Sequence, residues 1–164
     1  MGAVSPPRRG LVLLLAALTM LGPFTVDTIF PGFPSVQHDF AVDAVATQQI
    51  VSVYLLTFAV MGLVHGPLSD ALGRRPVVIG SLVLFAVTSA VCALAPTMTW
   101  LLVGRALQGV VAGGGMIVAR TVVRDVFSGD AAQRAMSQMS MIFGVAPAIA
   151  PIVGGWLLGW SSWR

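Results

Sequence analysis

The stretch GPLSDALGRRP, residues 66–76, joins two long apolar segments and carries one aspartate and two arginines. This concentration of charge is unusual for the chain, because only 9% of its residues are charged and 57% are hydrophobic. Soluble globular domains have about 25% charged residues, and the mean hydropathy of this chain is +0.92. The composition is therefore that of a membrane protein, and the stretch is predicted to connect two transmembrane helices.

A helix needs about twenty apolar residues to cross a bilayer, and five segments of the chain meet this requirement. They predict an all-α fold, a polytopic membrane helix bundle with helices at residues 11–30, 47–64, 76–95, 98–119 and 135–160. Residues 1–10 precede the first helix as a cytoplasmic tail. The first apolar run follows two arginines, as in a signal peptide, but no small-residue cleavage site ends it, so we interpret it as a retained helix.

The arginines favour one orientation in the membrane. If the N-terminus is cytoplasmic, most of them lie on or near the cytoplasmic side: Arg8, Arg9, Arg74, Arg75, Arg120, Arg124 and Arg134. The predicted outer connections, residues 31–46 and 96–97, contain no arginine, and only Arg164 lies outside. The tryptophans all fall near the predicted outer boundary, at positions 100, 156, 160 and 163. Arginines on the cytoplasmic side and tryptophans at the membrane boundary are typical of a multi-pass protein of the plasma (inner) membrane. We therefore expect the chain to lie in a lipid bilayer.

Three motifs, in order along the chain, resemble those of the major facilitator superfamily. Residues 66–76 resemble the signature between its second and third helices, and Arg105-Ala-Leu-Gln108-Gly109 resembles the R-x-x-Q-G motif of its fourth helix. The fifth span resembles the antiporter motif of the family through Gly144, Pro147, Pro151, Gly154 and Gly155. Residues 21–40 and 48–60 are similar to the start of drug/proton antiporters of the bicyclomycin-resistance type.

The resemblance implies a transporter that works by alternating access between two six-helix halves. Five spans then correspond to the first five helices of an incomplete N-terminal half, so the chain is expected to be a fragment whose partner is the missing C-terminal half. In this family the connection would act as a cytoplasmic gating loop, through Gly66, Asp70, Gly73, Arg74 and Arg75. Ala71 departs from the pattern, because the family usually has Arg or Lys there. The alternative is an ordinary tight loop with arginines that anchor it at the membrane surface.

Two charged residues lie inside the predicted spans, where a charge is costly and indicates function by default. At about 1.5 Å per residue, Asp27 lies roughly 5 Å and Arg105 roughly 9 Å inside the outer ends of their helices. The two charges therefore lie at similar depths. In the fold of the resembling family the first and fourth helices line the central cavity, so the resemblance implies a proton or cationic-substrate site at Asp27, with Arg105 close by and with Gln108 and Tyr54 contributing polar contacts. The alternatives are a helix-end cap for Asp27, a snorkelling side chain for Arg105 and an interface anchor for Tyr54.

Other kinds of function find little support in the sequence. The arginines punctuate apolar segments and form no basic face, which argues against nucleic-acid binding. His38, His65 and Cys92 lack the spacing of metal ligands, and no cofactor or metal site is expected. The spans contain no converging His, Glu, Ser or Cys, so an enzyme is not expected. We predict a proton-coupled efflux antiporter for drugs or small molecules. An uptake transporter for sugars or metabolites and a non-transporting membrane scaffold remain the alternatives.

Overall fold

The computed structural model of the chain describes residues 9–160 and 162–163, and in this part helices are the only regular structure. The helices are α1 (Arg9–Asp27), α2 (Phe33–Phe40), α3 (Ala44–Leu72), α4 (Arg74–Ala93), α5 (Met98–Val126) and α6 (Gly129–Trp160), and a 3-10 turn at Phe30–Gly32 joins α1 to α2. Five segments are long and apolar enough to cross a membrane, with α1 and α2 together forming the first, Gly10–Phe40. The all-α membrane bundle predicted from the sequence is confirmed. Arg8, Arg164 and most of the predicted tail 1–10 lie outside the described residues.

The connection at residues 66–76 is shorter than the sequence suggested. Helix α3 continues to Leu72 and α4 begins at Arg74, so only Gly73 lies between the two helices. Gly73 has φ 90° and ψ 152°, a conformation that glycine adopts readily because it has no Cβ. Pro76 was predicted to start the third span but lies in the first turn of α4, where its missing N–H has no helical partner to lose.

The other spans also differ from the predicted ranges at their ends. Helix α5 extends to Val126 and α6 begins at Gly129, so most of residues 120–134, which separate the fourth and fifth predicted spans, is helical. Helix α1 ends earlier than predicted, at Asp27. Hydropathy marks the point where apolar residues stop, whereas a helix continues as long as its backbone bonds and local side chains favour it. Helix α5 has 29 residues and α6 has 32, so both are longer than the roughly 20 residues that a helix needs to cross a bilayer.

Helix α5 lies at the centre of the bundle. It packs against α1, α3 and α4, and α1 also packs along α6. Small residues permit this close packing, and five of the buried residues of α5 are glycines, at positions 104, 109, 113, 114 and 115. Close approach of helix backbones through small residues is typical of membrane bundles, where the hydrophobic effect gives little driving force between helices.

The two ends of the bundle differ in character. We call the end where α3 meets α4 and α5 meets α6 the arginine end, because Arg74, Arg75 and Arg124 lie there. The opposite end is the tryptophan end, where the Trp163 indole N–H donates to Asp39 Oδ2 over 2.7 Å. A buried apolar cluster lies towards each end, one joining α1, α5 and α6 and one joining α2, α3 and α5.

Candidate functional site

Arg105 is almost completely buried inside the bundle, with 4% of its surface exposed. Its Nη1 donates a hydrogen bond of 2.9 Å to Oε1 of Gln108, one turn along α5. The guanidinium carbon lies 5.6 Å from the centroid of the Tyr54 ring, within the range of a cation–π contact. In the described part of the chain, Nε and Nη2 have no hydrogen-bond partner. A buried cation with unpaired donors is energetically costly, which makes Arg105 a strong candidate for function.

Gln108 extends this polar group to the neighbouring helix. Its Nε2 donates to Oγ of Ser89 on α4 over 2.8 Å, and that hydroxyl donates to the carbonyl of Phe85, also over 2.8 Å. Arg105, Gln108 and Ser89 therefore form one chain of hydrogen bonds between α5 and α4. Each member fixes the orientation of the next, so the position of the guanidinium depends on Ser89. The sequence motif identified Arg105 and Gln108 but gave no signal for Ser89, because one serine in an apolar helix is common.

Tyr54 is buried and not an interface anchor. Only 1% of its surface is exposed, and its hydroxyl donates to the carbonyl of Gly22 on α1 over 3.2 Å. Its ring stacks on Phe58 with 6.1 Å between centroids and 17° between planes. Since its ring also contacts Arg105, Tyr54 connects α1, α3 and α5 at one level of the bundle.

Asp27 and Arg105 line different cavities. The first cavity, of about 370 Å³, is lined by Arg105 and Gln108 with residues of α1 and α4. The second, of about 330 Å³, is lined by Asp27 and Tyr54 with mainly apolar side chains. Asp27 is the last residue of α1 and is half-buried. Among the described residues its carboxylate makes no ion pair with Arg105 within 4.0 Å. Similar depth in the membrane does not by itself give an ion pair, because depth does not fix the direction in which each helix presents its side chain.

The charged residues at the arginine end form a connected cluster. Arg74 contacts Asp70 one turn earlier, at 3.3 Å, and its Nε contacts Oδ2 of Asp125 at 2.8 Å. The cluster joins the corner between α3 and α4 to the end of α5. The motif at residues 66–76 contains Asp70 and Arg74, but it gave no signal for Asp125, which lies between the fourth and fifth predicted spans. Gly66 lies inside α3 with open space around it, and Arg75 is exposed.

The antiporter-like residues of α6 behave differently from one another. A Cβ added to Gly154 would overlap the backbone of Thr28, so this glycine permits close approach to the chain after α1. Gly144 and Gly155 have nothing within 4 Å of an added Cβ. Pro147 and Pro151 lie within α6 without ending it. Close packing therefore depends on Gly154 among the three glycines.

Comparison with known proteins agrees with the motifs. A family model described as Major Facilitator Superfamily matches residues 13–164. An uncharacterized MFS-type transporter of Bacillus subtilis is 38% identical over 96% of this chain and 40% of its own length. Multidrug resistance protein D of Escherichia coli is 33% identical over 94% of this chain and 39% of its own length. A bicyclomycin resistance protein homolog of Haemophilus influenzae is 29% identical, over 93% and 38% respectively. The chain thus spans about two fifths of the length of these relatives.

Proposed function

Because the chain belongs to the Major Facilitator Superfamily, we propose that it forms part of a proton-coupled antiporter that exports drugs or other small molecules by alternating access. Relatives named for multidrug and bicyclomycin resistance support export as the direction of transport. The arginine distribution supports a plasma (inner) membrane location with a cytoplasmic N-terminus. The arginine end would then face the cytoplasm, and the second half of the transporter would lie against the faces of α1 and α5 that line the cavities.

The observation on which the proposal depends is the position of Asp27. Its carboxylate lies at the edge of a cavity with a mainly apolar lining, within a segment that is long enough to span the membrane. In the described part of the chain, no hydrogen bond or ion pair engages it. A carboxylate in such surroundings gains most from binding a proton or a cation, and a proton is the species that couples the proposed antiport. Arg105 and Gln108 support the same region of the bundle through Tyr54.

The cluster of Asp70, Arg74 and Asp125 would act as a latch at the cytoplasmic end. It holds three helix ends together through ion pairs that are partly exposed, so their strength is modest and their breakage is compatible with a conformational change. In alternating access, such a cluster would close against the second half in one state and separate from it in the other. Ala71 removes one charge from this cluster relative to the family pattern.

The test uses the protein expressed from its full reading frame and reconstituted in vesicles with an imposed pH gradient. Ethidium serves as the cationic probe, and its movement is followed by fluorescence. We expect Asp27→Asn to abolish pH-driven transport, because an amide binds no proton in this range. Asp130→Asn is the matched control, since it removes an exposed carboxylate at the start of α6. Unchanged coupling in Asp27→Asn would contradict the assigned role. Movement of ethidium in the same direction as the protons would favour the uptake alternative.

A further inference from the structure

A third cavity, of about 310 Å³, lies among α1, α5 and α6 towards the arginine end. Two arginines of α5, Arg120 and Arg124, line it together with the hydroxyl-bearing Thr19 and Ser140. Both arginines are exposed, in contrast to the buried Arg105. No acidic residue lines this cavity. It is therefore a positively charged chamber whose polar lining comes from three different helices.

Neither arginine has a counterion within the described residues. The three ion pairs found there involve His38, Asp39, Asp70, Arg74 and Asp125. Asp125 follows directly after Arg124 in sequence, yet its carboxylate is engaged by Arg74 at 2.8 Å. Arginines four residues apart on one helix face repel each other. Two adjacent guanidinium groups that line one cavity without an acid are thus suited to an anion.

The cavity borders the apolar cavity that Asp27 lines. Arg120 and Phe143 belong to the lining of both, so the two are adjacent. The apolar cavity offers side chains such as Phe58 and Met116 to a ligand. Thr19 and Asp27 are eight residues apart on α1, which corresponds to about 12 Å along the helix. The two neighbouring cavities thus differ in character, one lined by two arginines and the other by mainly apolar side chains and the carboxylate of Asp27.

We propose that Arg120 and Arg124 bind the anionic group of an amphiphilic small molecule, whose apolar body occupies the adjacent cavity. A carboxylate, sulfonate or phosphate fits, since guanidinium groups bind such anions through paired, charge-assisted hydrogen bonds. Each cavity alone is near the lower limit of about 300 Å³ for small-molecule sites, and together they lie well within the usual range. The inference rests on the proposed function, because it names a substrate class for the same transporter. The phosphate of a lipid headgroup shares this chemistry.

The experiment measures binding of two probes to the purified protein, expressed from its full reading frame, in phosphatidylcholine nanodiscs. Dansylate carries a sulfonate, and dansylamide has the same ring without the charge, so their difference isolates the anionic group. We expect the chain to bind dansylate more tightly than dansylamide. Arg120→Gln should weaken dansylate binding by about tenfold or more, the loss expected for a charged hydrogen bond, and leave dansylamide unchanged. Arg120→Lys keeps the charge but not the paired hydrogen bonds, so its affinity for dansylate should lie between those of the native protein and Arg120→Gln.

Arg134→Gln provides the matched control, because it removes an exposed arginine of α6 that does not line the cavity. Circular dichroism checks that each variant is folded. Equal affinity of the native chain for both probes would overturn the proposal. A similar loss for both probes in Arg120→Gln, or the same loss of dansylate in Arg134→Gln, would also overturn it.

A second arm identifies the source of the anion. If phosphatidylglycerol in the nanodisc competes with dansylate, lipid headgroups occupy the site. If it does not, the site takes a soluble acid, and both results support an anion site. The measurement needs no proton gradient, so it can fail independently of antiport. Failure of coupling with intact dansylate binding would refute the proposed function alone, and intact coupling without charge discrimination would refute this inference alone.

Discussion

Replacing Gly109 by alanine tests whether the tight contact between α5 and α3 stabilises the bundle. Gly109 is buried in α5, and a Cβ added to it would overlap Thr57 Oγ1 and the carbonyl oxygen of Tyr54. The threonine hydroxyl can turn, although it would then lose its hydrogen bonds of 3.0 Å to α3 carbonyls. The carbonyl of Tyr54 belongs to the α3 backbone and cannot turn. The two helices must therefore separate to admit one methyl group.

The expected cost follows from two opposing terms. Overpacking of a well-packed interior costs about 1–3 kcal/mol, and a fixed backbone partner places this contact in the upper part of that range. Alanine is favoured over glycine in a helix by about 1 kcal/mol, which offsets part of the cost. The net loss in the free energy of unfolding is thus about 1–2 kcal/mol, equivalent to a factor of roughly 5–30 in the ratio of folded to unfolded protein.

The assay is unfolding in mixed micelles with increasing dodecyl sulfate, with the loss of helix followed by far-ultraviolet circular dichroism. Gly144→Ala is the matched control, because an added Cβ there meets nothing within 4 Å. We expect the control to be as stable as the native chain or more stable by up to about 1 kcal/mol. The steric reasoning would be refuted if Gly109→Ala and Gly144→Ala had the same free energy of unfolding.

Three further substitutions test other contacts by the same unfolding assay. Ser89→Ala removes the acceptor of the Gln108 amide, and leaving a buried polar group unpaired should cost about 1–3 kcal/mol; an unchanged midpoint would show that the amide finds another partner. Gly73→Ala places a Cβ at φ 90° and should cost about 1–3 kcal/mol through backbone strain. Asp125→Asn removes the charge that contacts Arg74, and because both groups are partly exposed the loss should stay below about 1 kcal/mol. A larger loss would indicate that the cluster is shielded from water.

The helical spans could be predicted because a run of about twenty apolar residues is visible in the sequence itself. The residues at which the helices begin and end could not be predicted in this way. Residues 66–72 carry glycine, proline and aspartate, which are typical of turns, yet they continue α3 to Leu72. The ion pair between Asp70 and Arg74 joins α3 to α4 across Gly73, and a hydropathy window gives no information on such a contact.

Within the candidate site, only the contacts between residues that lie close together on one helix could be predicted from the sequence. Arg105 and Gln108 are three residues apart on α5, so the motif alone brings them together. The contacts with Ser89 and Tyr54 join different helices, and they depend on how each helix is rotated about its axis. Depth in the bilayer gives no information on this rotation. The expected meeting of Asp27 with Arg105 therefore did not follow from their matched depths.

The central position of α5 has a consequence for the order in which the protein is made. Helices α1, α3 and α4 leave the ribosome before α5, yet each has α5 as a packing partner. At about 5–20 residues per second, the roughly 70 residues between α1 and α5 take on the order of 4–14 s to synthesise. During this interval the early helices sit in the bilayer without their common neighbour, and α1 exposes Asp27 there. Nascent chains that pause before α5 should consequently be the species that membrane proteases and insertases engage.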